Sequence, residues 1–267
     1  MDNRPIGIFD SGLGGLTAVK ALRRLLPEEN IVFFGDTGRL PYGAKTLEQL
    51  RRMAVQDLDR VSACGVKAIL AACGTLSSNT PELLDAYPVP TFGVLRSSVK
   101  AMSQTEKSGP LAVIATAASI RSGAFARALQ QRCPEREILA VPCPDFVPLI
   151  ESGHIQPDDA LLRDAVARYL EPVRDAGAAA LLLGCTHYGI IAQALREYLG
   201  PETALVSAAD CAARELAAYL EEKKLCGGSG QERFLVSGSP AEFDRKAALL
   251  LGRPLGSPAE EVPVMEI

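Results

Sequence analysis

Two cysteines, Cys73 and Cys185, are the residues best placed to do chemistry. Each closes an apolar run, 67-KAILAAC-73 and 178-AAALLLGC-185, and each precedes a threonine, in Cys73-Gly74-Thr75 and Cys185-Thr186-His187. A thiol has an ordinary pKa of about 8.5, near enough to neutrality for one to take a proton while another gives one. Two thiols on opposite faces of a carbon that bears an acidic hydrogen would invert that carbon. Reaching the thiolate at neutral pH costs about 1.4 kcal/mol per unit of mismatch, which a cation or a helix N-terminus offsets. His187 is suited to tune Cys185 in this way. The same Cys-His pair would also serve a cysteine hydrolase working through an acyl-enzyme. Buried cysteines that act only as small hydrophobes are the third reading.

Other motifs are weaker. The segment 10-DSGLGG-15 fails the dinucleotide fingerprint because Thr17 stands at the last glycine, and 38-GRLPYGAKT-46 has the wrong spacing for a P-loop. Backbone N–H groups at a helix start there suit a small anion such as a carboxylate. Glu151, after 146-FVPLI-150, reads alone as a solvated helix residue. With only His154 beside His187, and no C-x-x-C pair among seven cysteines, no metal site is expected.

The elements that must position these residues follow an α/β grammar. Strands are expected at 5–10, 31–36 and 67–73, and again at 110–116, 137–143 and 178–185, with helices over roughly 46–63, 119–132 and 157–176. Strands separated by helices of this length imply a parallel sheet flanked by helices. The order recurs at offsets of 105 to 112 residues, so Asp10-Ser11 matches Ala115-Thr116, Asp36 the Cys143 region, and Cys73 Cys185. Two similar α/β domains are expected, residues 1–93 plus 208–267 and residues 94–207, with the functional site in the cleft between them. Ligands in such sheets collect beyond the carboxyl ends of the strands. A last strand is expected at 233–238, followed by a short helix, and surface coil from 257.

Composition excludes several classes. Of 267 residues 48% are hydrophobic and 22% charged, which suits a globular chain and not a disordered one. A net charge of -4 with scattered cations speaks against a nucleic-acid partner. No apolar stretch reaches the roughly 20 residues of a membrane span, and no secretory signal is visible. The expected compartment is the cytoplasm, with free thiols.

At these residues the chain resembles the glutamate racemase family of the cofactor-independent aspartate/glutamate racemase superfamily. The resemblance rests on 9-FDSGLGGLT-17, 35-GDTGRLPYGAKT-46, 70-LAACGT-75, 144-PDFVPLIESG-153 and 181-LLLGCTHYG-189. It implies an isomerase that interconverts L- and D-glutamate without pyridoxal phosphate, metal or other cofactor, and that supplies D-glutamate for peptidoglycan. It implies that Cys73 and Cys185 transfer the protons, with Asp10 and His187 as their helpers and Glu151 as a supporting polar residue. Implied substrate contacts are Asp10, Ser11, Tyr42, Gly43 and Gly74 on one side, and Thr75, Thr116, Thr186 and His187 on the other. Family members often dimerise, though no stripe here identifies an interface. Gly74 departs from the family's asparagine, Gly189 from its proline and Ser207 from its aspartate. Racemisation of another amino acid, such as aspartate, is the near alternative.

Overall fold

The computed structural model describes residues 2–251 and 253–265. Its central strands are short, apolar and buried on both faces, as parallel strands between helix layers must be. Six pair in parallel in the order β10-β9-β2-β1-β3-β4: β1 (Ile6–Asp10), β2 (Ile31–Gly35), β3 (Ala68–Ala71), β4 (Thr91–Gly93), β9 (Glu232–Val236) and β10 (Glu260–Glu261). A second parallel sheet has the order β6-β5-β7-β8, from β5 (Leu111–Ala115), β6 (Ile138–Pro142), β7 (Ala180–Leu183) and β8 (Ala204–Ser207). In each, the first strand in sequence lies between the second and third and the fourth sits outside. The inferred repeat is therefore present as one strand order used twice.

One core joins the sheets. It holds Ile6 and Leu70 of the first sheet, Leu111, Val113 and Leu182 of the second, and the apolar face of the helix Ala208–Glu222. The outer faces are covered separately, the first by the helix Leu47–Ser62 and the second by the helix Ala160–Asp175. The former starts at a capping box in which Thr46 and Gln49 satisfy each other's backbone N–H groups. Asp159 caps the latter, accepting from the Leu162 N–H at 3.0 Å.

Two local expectations change, and two segments that had none are defined. The helix expected over 119–132 is two, Ala117–Ser122 and Ala124–Arg132, because Gly123 takes a left-handed conformation (φ 65°) that breaks it. Pro88 and Pro90 precede β4, which lies at one edge of the first sheet. The segment after Cys73 is a helix, Gly74–Asn79. The tail is not wholly coil, since Glu260 and Glu261 pair with Leu235 and Val236; residues 266–267 lie outside the described residues. Among the described residues no helix is long and apolar enough to cross a membrane.

Candidate active site

The carboxyl ends of both sheets open on one cavity of about 600 Å³. Ser11, Tyr42, Gly43, Cys73, Gly74 and Thr75 line it from turns of the first sheet. Thr116, Cys143, Cys185, Thr186 and His187 line it from the second. Glu151 and Lys246 complete its charged lining.

Cys73 lies two residues past β3 and caps the helix Gly74–Asn79 with its carbonyl, which accepts from the Ser77 N–H at 2.9 Å. Burial, and then the negative charge of Asp10, push its thiol up to about 12. Hydrogen bonds from the Leu76 N–H and Ser11 act the other way. Cys73 is therefore a neutral thiol at physiological pH.

Cys185 opens the short turn Thr186–Gly189 beyond β7. Its Sγ is 3.8 Å from His187 Nδ1, and His187 Nε2 is 3.0 Å from Glu151 Oε1. Burial alone would lower the imidazole, but Cys185, Glu151 and Asp10 outweigh it and raise His187 to about 10. The carboxyl of Glu151 is held below its ordinary value; burial opposes this, and His187 and then Lys246 overcome it. An imidazolium beside Cys185, anchored from behind by a carboxylate, is available to balance a thiolate that forms there.

Close backbone approach locks this turn against the first sheet. A β-carbon on Gly14 would lie 2.4 Å from both His187 Nδ1 and Thr186 Oγ1, and one on Gly74 would lie 2.0 Å from the Gly184 carbonyl oxygen. The turn that carries Cys185 and His187 is thus clasped between two glycines of the first sheet. Hydrogen bonds reinforce the clasp. Thr186 Oγ1 donates to Asp10 Oδ2 at 3.1 Å, Thr17 Oγ1 donates to the Thr186 carbonyl at 3.3 Å, and the hydroxyls of Thr75 and Thr116 meet at 3.1 Å.

Two expected contacts take a different form from a side chain facing the ligand. Asp10 is wholly buried beneath the cavity, where its carboxylate accepts from the Gly12 N–H (2.9 Å) and Thr186. Burial raises its pKa, and the nearby His187 works against that rise. Tyr42 turns its hydroxyl away from the cavity, donating to Asp36 and to Asp57 (3.0 Å). Arg39 binds the same two buried carboxylates at 2.6 and 2.9 Å. Burial, and then the charge of Asp36, push the Asp57 carboxyl well up. This cluster anchors the loop that presents the ring of Tyr42 and the backbone of Gly43 to the cavity.

Sequence reasoning missed Cys143 and Lys246 as lining residues. The end of β6 matches other ligand-facing strand ends, and that signal pointed to the Cys143 region without singling it out. Lys246 arrives on the distant helix Pro240–Leu251, and no local motif marks it. His154 lies away from the cavity, paired with Asp159 at 2.8 Å. Among the described residues no group of three or more His, Cys, Asp or Glu side chains could hold a metal ion.

Two sheets with one strand order, whose ends meet over a shared cavity with a thiol on each wall, define a class that comparison with known proteins makes explicit. Residues 17–216 match the Asp/Glu/Hydantoin racemase family, and the chain belongs to it. The glutamate racemase of Beutenbergia cavernae is 38% identical over 94% of this chain and 91% of its own. That of Thermus thermophilus is 42% identical over 90% of this chain and 89% of its own. The crystal structure of the glutamate racemase of Francisella tularensis in complex with D-glutamate superposes with a TM-score of 0.89 at 34% identity, covering 98% of each chain.

Proposed function

We propose that this protein is a glutamate racemase that inverts the α-carbon by proton transfer between Cys73 and Cys185, without cofactor or metal. The observation that carries this reading is the placement of two free thiols, from the strand ends of different sheets, on the walls of one cavity. The names of the relatives, and the D-glutamate bound to one of them, support glutamate as substrate, and the family resemblance implies peptidoglycan as the destination of the D-glutamate.

Proton bookkeeping follows from the electrostatics. Cys73, kept protonated by burial and by Asp10, is the donor in the resting protein. Cys185, whose Sγ lies 3.8 Å from the His187 ring that Glu151 anchors from behind, is the acceptor, and the imidazolium balances the thiolate that forms there. The thiolate removes the α-hydrogen from one face, the carbanion forms, and the opposite thiol returns a proton to the other face. After one turnover the thiols have exchanged states, which readies the site for the other enantiomer. A turnover near 10 per second corresponds to a barrier of about 16 kcal/mol, so the cavity must stabilise the carbanion. Hydroxyls of Ser11, Thr75 and Thr116, with the backbone of Gly43 and Gly74, hold the α-carboxylate for this purpose.

The test replaces each thiol separately. Cys73→Ser and Cys185→Ser should each abolish racemisation measured by circular dichroism from either enantiomer. Residual exchange of the α-hydrogen in deuterium oxide is expected only where the remaining thiol faces it. Racemisation that survives either change refutes the scheme. The contact chain Cys185–His187–Glu151 also favours a second reading, a cysteine hydrolase. That reading leaves Cys73 without a role and predicts burst release from an activated ester.

A further inference from the structure

One charged side chain of the cavity takes no part in the proton transfers described above. Among the described residues, Lys246 is the single lysine or arginine lining the cavity. Its Nζ lies 2.8 Å from Glu242 Oε1 on the same helix, and its side chain is 23% exposed, so the ammonium sits at the cavity mouth. A smaller cavity of about 150 Å³ adjoins there, sharing Leu40, Glu151 and Lys246 with the larger one. The other charged lining groups, Glu151 and His187, are hydrogen-bonded to each other. The remaining polar groups are hydroxyls, thiols and backbone. A dicarboxylic amino acid brings two negative charges and one positive, and among the described residues lining the cavity Lys246 is the cation held only by a surface carboxylate.

We propose that Lys246 is a specificity-determining residue, whose ammonium leaves Glu242 for the side-chain carboxylate of the substrate and so selects an acidic amino acid over its neutral amide. This rests on the racemase reading and names the group that recognises the acidic end. Physical chemistry favours the exchange. Glu242 and Lys246 form an i,i+4 pair on a helix surface, Glu242 being 60% exposed, and such pairs are weak. A carboxylate inside the cavity is less solvated, and a charge-assisted contact there is stronger. The flexible lysine stem reaches both partners.

The experiment follows α-hydrogen exchange in deuterium oxide for L-glutamate and L-glutamine, using the full chain and three variants. Where glutamine exchanges too slowly, its inhibition constant against glutamate replaces kcat/KM. Lys246→Gln should lower kcat/KM for glutamate roughly tenfold, through KM more than kcat, so that the glutamate-to-glutamine ratio falls by about the same factor. Lys246→Arg should recover most of the ratio. Glu242→Gln, which removes the competing carboxylate, should lower KM for glutamate. Raising ionic strength should erode the wild-type preference and leave that of Lys246→Gln nearly flat. A ratio unmoved in Lys246→Gln, or an equal loss for both amino acids, overturns the assignment while wild-type exchange upholds the racemase reading. Wild-type protein that exchanges neither amino acid overturns both.

Discussion

Gly74 holds the two halves of the site at their separation, and Gly74→Ala measures what that separation is worth. A β-carbon there would sit 2.0 Å from the Gly184 carbonyl oxygen, 3.2 Å from its carbon and 3.6 Å from the Cys185 Cα. Real β-carbons stay at least 3.0 Å from such atoms, so the turns that carry Cys73 and Cys185 must part by about 1 Å. The obstacle is backbone, which cannot rotate aside. Misplacing reacting groups by 1 Å costs about 100-fold in rate, equivalent to about 2.7 kcal/mol in barrier. Alanine's reduced unfolded-state entropy would otherwise stabilise the fold by about 0.4–1 kcal/mol, so the expected rate loss runs against ordinary backbone preference. The assay is racemisation from both enantiomers by circular dichroism, with α-deuterated substrate in parallel. The enantiomers are isoenergetic, so kcat/KM must fall equally in both directions. The isotope effect on kcat should grow as proton transfer becomes more limiting. Gly74→Asn, which restores the residue usual in the resembling family, meets the same carbonyl and should lose rate too. Activity of Gly74→Ala within about threefold of wild type, at an unchanged urea midpoint, would refute the reasoning.

The pH dependence of stability should report on His187. Its pKa rises from 6.5 to about 10 in the fold, so its contribution is complete below pH 6.5 and disappears as pH climbs through about 10. The urea-denaturation gap between wild type and His187→Gln should therefore be widest near pH 6 and close towards pH 11, and a gap that widens with pH would contradict this. Tyr42→Phe should lower stability by about 1–3 kcal/mol, because it strips a buried donor from Asp36 and Asp57, while KM for glutamate changes by less than about threefold. A large rise in KM at unchanged stability would place that hydroxyl on the substrate instead.

What the sequence made legible is what local chemistry encodes. A parallel strand buried on both faces must be a short apolar run, and Ile6–Asp10, Leu111–Ala115 and Ala180–Leu183 read as such before any coordinates. Because ligand-facing residues of parallel sheets follow strand ends, Cys73 and Cys185 were legible from position alone, and the similar offsets of the two halves matched them across the cleft. The glycines of 10-DSGLGG-15 were legible as a motif but not in their purpose. They suggested an anion cradle, whereas Gly14 makes room for Thr186 and His187, some 170 residues away. The direction of the Tyr42 hydroxyl was hidden for the same reason, since Asp57 reaches it from the middle of another helix. Lys246 was hidden more deeply, because its charge acquires meaning only where its helix crosses the cavity mouth.

That division has a physical basis with consequences for the chemistry. Periodicity and strand-end position are properties of one segment, and natural selection on packing writes them into that segment. The separation of Cys73 from Cys185 belongs to no segment. It is set where Gly74 meets Gly184 and where Thr75 meets Thr116, contacts in which absent or small side chains let two backbones touch. A proton transfer that fails over 1 Å is thus controlled by the least conspicuous residues of the site. With the Gly184 carbonyl where this chain holds it, a β-carbon at position 74 would leave both thiols in place and still disturb the geometry that lets them share one carbon.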